Sequence, residues 1–101
     1  MRWFGVRCLF LHGEDLYEER VTLWRARDFA HAIELAEAEA LEYCEDLTGT
    51  RYVRLAQAYL LDDEPGTPGA EVFSLIRRSD LGAGEYIDRF FDTGDEFQGD
   101  L

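Results

Sequence analysis

Lysine is absent from this chain of 101 residues: all ten cationic side chains are arginine, and they stand against 22 aspartates and glutamates. The absence of lysine excludes Schiff-base chemistry and a lysine general base. The formal net charge of −12 at pH 7 argues against nucleic acid and anionic membranes as partners, since both are bound by clustered cations. We therefore expect neither of these partners, and we expect basic proteins to be attracted instead.

Cysteine and long apolar runs are also scarce. The two cysteines, Cys8 and Cys44, are too few for a disulfide framework, and we predict both to face the core as reduced thiols. No apolar run approaches the roughly 18 residues that span a membrane. Alternation of polar and apolar residues begins at Arg2, which is unlike the h-region of a signal peptide. These features predict a cytoplasmic protein.

Signatures of catalysis are missing as well. Neither histidine belongs to an H-x-x-x-H or C-x-x-C spacing, and neither serine lies in a G-x-S-x-G elbow. We expect a raised pKa for Cys44, because the C-terminal end of an acidic helix disfavours a thiolate. The acidic run at 62–64 supplies too few oxygens for a calcium site. The sequence therefore predicts no enzymatic activity, no metal and no cofactor.

Two alternating segments at the start of the chain predict a β-hairpin. Gly13 in "HGED" suits a two-residue type II′ turn, which would pair His12 with Asp15. Propagated back along the hairpin, this register pairs Phe4 with Leu23 and Val6 with Val21 on one face, and Trp3 with Trp24 and Arg7 with Arg20 on the other. Apolar residues then meet apolar residues on the first face.

The clearest helix begins at Asp28, a good N-cap, and ends at Thr48-Gly49. Its apolar stripe is rich in alanine, which permits a close approach to a sheet. We predict that this helix packs through Phe29, Ile33, Ala36 and Ala40 onto Phe4, Val6, Val21 and Leu23.

The rest of the chain predicts two more strands and a short helix. "RYVRLAQAYLLDD" and "GAEVFSLIRRS" have the composition of strands, with the proline- and glycine-rich loop "DEPGTPG" between them. "LGAGEYIDRFFDT" predicts a short second helix. The expected fold is α+β with the order ββαββα, in which a four-stranded antiparallel sheet carries the long helix on one face. We expect a single domain over 1–92 and an acidic, flexible tail over 93–101.

The same stretches resemble a small uncharacterised bacterial family, domain-of-unknown-function 4288. The residues that carry the resemblance are Trp3-Phe4, Tyr17-Glu18-Glu19-Arg20, and the acidic helix that ends in Tyr43-Cys44, followed by "SLIRRSDL" and "YIDRFF". The resemblance covers nearly the whole chain. It implies a stand-alone bacterial protein without an assigned activity.

The sheet face turned away from the long helix is the predicted binding surface. Large apolar side chains with arginine are typical of the core of a protein interface, and an exposed patch of this size is unusual for a monomer. The second helix, a second copy of the chain or a different protein would cover it. The candidate partner-binding residues are Trp3, Arg7, Leu9, Leu11, Arg20 and Trp24.

Three functions from different classes remain open. The first is a non-enzymatic protein–protein interaction module, such as an immunity protein or toxin inhibitor, because an acidic surface steers association with basic targets. The second is a homodimeric structural or accessory protein whose sheet face serves self-association. The third is a small-molecule-binding protein with a pocket between the sheet and the second helix.

Overall fold

The computed structural model describes residues 1–92 and Gly94. Strand β1 spans Arg2–His12, β2 spans Leu16–Ala26 and β3 spans Thr50–Leu60. They form one antiparallel sheet in the order β2-β1-β3, so β1 is the central strand. The predicted α+β class and the antiparallel sheet are confirmed.

Helix α1, Phe29–Glu45, crosses one face of this sheet. It begins as predicted, because Oδ1 of Asp28 accepts a hydrogen bond of 2.8 Å from the backbone N–H of His31 and so caps the first turn. The helix ends slightly before the predicted Thr48-Gly49. Gly49 instead takes a φ of 78° in the connection to β3, a conformation that glycine adopts without strain.

The hydrophobic core lies between α1 and the central strand. β1 contributes one alternating set of almost fully buried side chains: Phe4, Val6, Cys8 and Phe10. The helix meets them with the small side chains of Ala32, Ala36 and Ala40. The predicted core-facing sides of β1 and α1 are confirmed, since the buried alternate residues of the strand pack against the alanine stripe of the helix.

The hairpin register differs from the prediction by one residue. His12 pairs with Leu16 rather than with Asp15, because three residues form the connection, and it starts at Gly13 with a φ of 66°. The N–H of Gly13 donates to the carbonyl of Gly49 at 2.8 Å, which ties the turn to the start of β3. Because successive side chains point to opposite faces, this shift moves the whole of β2 to the other face.

The predicted cross-strand pair of Trp3 and Trp24 is therefore wrong. Trp24 lies opposite Phe4 on the helix face and packs half-buried against the core. Val21 and Leu23 were expected beneath the helix but point away from it, and they remain 43% and 39% exposed. The turn length, which hydrophobic pairing alone does not determine, decides which side chains of β2 reach the core.

The predicted fourth strand is not confirmed. Within residues 1–92 and 94 the backbone of 70–80 runs without a turn or bend, but it pairs with no strand. The last bond between the end of β3 and the sheet joins the N–H of Leu61 to the carbonyl of Trp3 at 3.0 Å. The described order is therefore ββαβα, with three strands.

Helix α2, Ala83–Tyr86, continues as a π-helical turn at Ile87–Phe91. A short C-terminal helix is thus confirmed, but its backbone approaches neither the sheet nor α1. Arg77 holds it locally, because the guanidinium donates to the Tyr86 hydroxyl at 3.1 Å and lies 4.1 Å from the centre of the Phe90 ring. The predicted tail at 93–101 lies outside the described residues except for Gly94.

Ala36→Glu tests the interface between α1 and the sheet. Ala36 is 1% exposed, so the variant would bury an unpaired carboxylate and should lower the free energy of unfolding by about 3 kcal/mol. Ala38→Glu on the exposed side of the same helix is the matched control. Urea unfolding should separate the two variants clearly, and equal stability would contradict the assigned helix face.

Candidate functional site

One face of the sheet carries no helix; it is called the open face below. It is built by the second alternating set of β1 and its cross-strand neighbours, including Trp3, Arg7, Leu9, Val21, Leu23 and Tyr59. Apolar side chains on its β2 side stay accessible, because the nearest helix lies on the opposite side of the sheet. The open face is therefore the principal apolar surface of the described sheet.

The C-terminal segment covers only one part of the open face. Phe73 meets Tyr59 edge to face, with ring centres 5.3 Å apart, and lies 5.6 Å from the Arg7 guanidinium. Tyr59 in turn lies on Gly5, where an added Cβ would clash with the Tyr59 ring. This stack covers the β3 side of the open face and leaves Val21 and Leu23 on the β2 side exposed.

The six predicted partner-binding residues do not share one face. Trp3, Arg7 and Leu9 lie on the open face as expected, and so does Leu11, which is buried there. The other two, Arg20 and Trp24, lie on the helix face because of the three-residue turn. The predicted contact of Arg7 with Arg20 is therefore wrong as well.

Arg20 joins β2 to α1 instead of contributing to the open face. Its guanidinium donates two hydrogen bonds to the carboxylate of Glu39, at 2.6 and 3.1 Å, and lies 4.0 Å above the centre of the Tyr43 ring. The hydrogen bonds that Arg20 donates to Glu39 are the largest cause of its raised pKa. A bidentate pair of this kind fixes orientation as well as distance, so Arg20 sets the position of the helix on the sheet.

A second group of polar contacts also involves Tyr43 and connects it to the β-hairpin. Nε2 of His12 donates to Glu18 at 2.8 Å, and the Tyr43 hydroxyl donates to the same carboxylate oxygen at 2.8 Å. Nδ1 of His12 then accepts from the hydroxyl of Thr50 at 2.8 Å when the ring is neutral. These bonds lower the pKa of Glu18, with the His12 bond as the largest cause, and raise the pKa of Tyr43.

A carboxylate, an imidazole and a hydroxyl in series are also the groups that activate a hydroxyl nucleophile. A nucleophile needs a cavity beside it in which a substrate binds, and the two best-formed cavities of the described chain are lined by other residues. These contacts instead connect the hairpin to β3 through Thr50 and to α1 through Tyr43. Sequence spacing did not reveal this network, because its members come from four separate elements.

The cavity on the open face arises from an irregularity in β3. Cys8 pairs with Ala56 and Phe10 with Tyr52, so three residues of β3 lie opposite Leu9 alone. Arg54 in this β-bulge has a backbone φ of 62°. Residues other than glycine adopt this left-handed conformation only at a cost in free energy. The cavity beside the bulge measures about 180 Å³ and is lined by Arg7, Cys8, Leu9, Glu19, Leu55 and Gln57.

This cavity is small for a ligand site, since small-molecule pockets measure about 300–1,000 Å³. The second cavity, of about 280 Å³, is a wide opening between the N-terminus and the acidic run at 62–64. The predicted pocket between the sheet and the second helix is not present in the described chain, because α2 does not approach the sheet. Neither cavity supports the small-molecule function well.

The two cysteine thiols lack the lowered pKa of an activated nucleophile. Burial is the main cause that raises the pKa of both the Cys8 and the Cys44 thiols, and nearby glutamates raise it further. The raised pKa predicted for Cys44 is confirmed, although burial outweighs the predicted electrostatic cause. Both thiols are free, as expected, and a thiol with a raised pKa is a weak nucleophile at neutral pH.

Two further features bear on the kind of site. Among residues 1–92 and 94, no three acidic, histidine or cysteine side chains group closely enough to hold a metal ion. The helices in this part of the chain all fall short of the length and apolar character needed to cross a membrane.

Comparison with family models, curated proteins and solved structures found no match, so the resemblance to domain-of-unknown-function 4288 stays a prediction.

Charge is distributed unevenly between the two faces. From Asp28 to Asp46 the helical region holds seven acidic residues and no arginine. Glu39 is bound by Arg20 and Glu37 accepts from the Tyr52 hydroxyl, whereas three outward glutamates are exposed and make no ion pair in the described chain: Glu34, Glu42 and Glu45. The open face by contrast carries arginines, such as Arg7 and Arg25.

Glu18→Gln tests the polar network through its dependence on pH. Because the folded-state pKa of Glu18 lies below its ordinary value of about 4.3, its ionised form stabilises the fold above that value, and this contribution is lost as the pH falls through the folded-state pKa. The variant should be less stable than wild type at pH 7, with a smaller loss of stability on acidification.

The matched control is Glu19→Gln, which removes a carboxylate from the next position on the opposite face. Thermal unfolding at pH 7 and pH 3 measures the effect in each protein. A loss of stability on acidification that is the same in the Glu18→Gln variant as in wild type would contradict the proposed role of the network.

Proposed function

We propose that this chain is a non-enzymatic protein–protein interaction module of the immunity or inhibitor type, which binds a basic protein through the outer face of α1. The observation that carries the proposal is the single sign of charge on that face. Glu34, Glu42 and Glu45 are exposed there, followed by Asp46. No arginine of the described chain forms an ion pair with them.

The position of these carboxylates suits electrostatic steering. They lie on a helix whose other side is anchored to the sheet by three buried alanines and by the Arg20–Glu39 pair, so they present a rigid acidic surface. Negative charges held on one rigid face attract a basic partner from a distance. They increase the association rate more than they increase the affinity. Such binding weakens as salt concentration rises.

The open face supports a second candidate function, which is a homodimeric structural or accessory role. Val21 and Leu23 are exposed there beside arginine side chains. Apolar residues together with arginine are typical of the centre of a protein interface. The two functions therefore use opposite sides of the domain and are compatible with each other.

Capture of partners from a lysate of the producing cell tests the first function. The wild-type chain should retain a stoichiometric partner with a basic isoelectric point. The triple variant Glu34→Gln, Glu42→Gln and Glu45→Gln removes three charges from α1 and should lower the association rate about tenfold or more. Quantitative mass spectrometry identifies the partner, and surface binding kinetics then measure the rate.

A matched control removes the same number of charges elsewhere. The loop variant Asp62→Asn, Asp63→Asn and Glu64→Gln changes the net charge equally but leaves α1 intact, so it should keep most of the association rate. Equal losses in the two triple variants would indicate a general effect of net charge. Retention of a partner without basic character would contradict the proposal.

A further inference from the structure

The segment 70–80 exposes apolar side chains and leaves most of its backbone N–H and C=O groups without hydrogen-bond partners in the described chain. Its side chains from Glu71 onwards are exposed, including Leu75 at 55% and Ile76 at 96%. Apolar side chains of this size are usually buried in a folded domain. The segment has the composition of a strand and runs without a turn or bend, yet it belongs to no sheet.

The backbone of 72–80 is also without hydrogen-bond partners in the described chain, whereas the N–H of Ala70 still donates to the carbonyl of Thr67 at 2.9 Å. The N–H of Glu71 makes a long bond of 3.4 Å to Oδ2 of Asp63, and the next bonded N–H is that of Leu81, which donates to Oγ of Ser79. Between them, no backbone hydrogen bond forms within the described chain. A row of free N–H and C=O groups along an unbent backbone is an open strand edge, which readily pairs with another strand.

The sequence "EVFSLIR" at 71–77 is complementary to itself when it is read in the antiparallel direction about Ser74. In that register Ser74 faces Ser74 of a second copy, and the remaining pairs are Phe73 with Leu75, Val72 with Ile76, and Glu71 with Arg77. Each apolar residue meets an apolar residue, and each acidic residue meets a basic one. Pairs of both kinds stabilise neighbouring antiparallel strands.

Neighbouring symmetric registers lack this match. A two-fold axis through an antiparallel ribbon must place one residue opposite itself, because directly opposed side chains point to the same face. Centred on Leu75, the ribbon would set Phe73 against Arg77 and Val72 against Arg78. Centred on Phe73, it would set Glu71 against Leu75. Only the register centred on Ser74 pairs both the charges and the apolar side chains.

We infer that two copies of this chain pair through residues 71–77 as an antiparallel ribbon centred on Ser74. The inference rests on the second candidate function, self-association, and names the contact that produces it. It does not involve α1, whose acidic surface stays free in such a dimer.

The open face supplies the rest of the interface. A two-stranded ribbon is marginally stable alone, and a standard protein interface takes about 20–30 residues from each side. Phe73 already packs on Tyr59 of the open face, and Leu75 projects on the same side of an extended strand. The ribbon thus lies on the open face of each copy, adjacent to the β2 side on which Val21 and Leu23 are exposed.

Cysteine cross-linking tests the register directly. In the proposed ribbon the two Ser74 Cα atoms lie about 4.5–5.5 Å apart, which is within the range of a disulfide. Ser74→Cys, placed in a Cys44→Ser background, should form a disulfide-linked dimer in mild oxidant. Ser79→Cys is the matched control, because the ribbon separates its two copies by about 30 Å.

A charge exchange tests the pairing without new chemistry. Glu71→Arg or Arg77→Glu alone places like charges opposite each other in both symmetric pairs, and each should weaken dimerisation at least fivefold. Glu71→Arg is the cleaner of the two, because Arg77→Glu also removes the contacts of Arg77 with Tyr86 and Phe90. The double variant Glu71→Arg with Arg77→Glu restores opposite charges and should return to within about twofold of wild type. Sedimentation equilibrium gives the dissociation constants, and circular dichroism verifies the fold.

The outcomes separate this inference from self-association in general. A wild-type dimer in which Ser74→Cys links no faster than Ser79→Cys overturns the ribbon but leaves the second candidate function in place. A wild-type chain that is monomeric at all concentrations overturns both. A double variant no tighter than the single variants also overturns the ribbon, because within one chain Glu71 and Arg77 are about 20 Å apart in an extended strand.

Discussion

The packing of β1 on the alanine stripe of α1 is the constraint on which the rest of the structure depends. Phe4, Val6 and Phe10 fill the space that small helix residues leave open, so nearly all of the deep core lies on one side of the central strand. One helix of 17 residues covers only that side. Because the described part of the second helix stays away from the sheet, the domain keeps an apolar face that its own secondary structure does not cover.

The sequence predicted α1, its N-cap at Asp28, the central strand and its core-facing side chains, because local periodicity encodes each of them. The register of the hairpin was not predictable in the same way. β2 alternates between an apolar set and a mostly polar set that includes Trp24, and both registers place some apolar residue against Phe4. The register that forms, with its three-residue turn, also brings polar partners together: Arg20 meets Glu39, and Glu18 meets His12 and Tyr43.

The predicted fourth strand shows a different limit of sequence reasoning. The composition of 69–79 indicates β-structure, and the chain from 70 to 80 has no turn or bend, but a strand exists only when a neighbour accepts its hydrogen bonds. Composition says nothing about whether that neighbour lies in the same chain. The candidate binding residues separated for a related reason: four of the six lie on the open face, while Arg20 and Trp24 follow the register of β2 to the other side.

The separation of charge explains why the two faces suit different partners. Acidic side chains accumulate on α1, where the alanine side of the helix is already buried and the outer side is free to be charged. Arginines accumulate on and near the open face, where their stems cover apolar surface and their guanidinium groups stack on rings, as Arg7 does on Phe73. A second copy that pairs on the open face meets the arginine-bearing sheet and leaves the acidic outer face of each α1 uncovered. Self-association through the open face therefore keeps the most acidic surface of each chain, whose net charge is −12, out of the contact and leaves each α1 available for a basic protein.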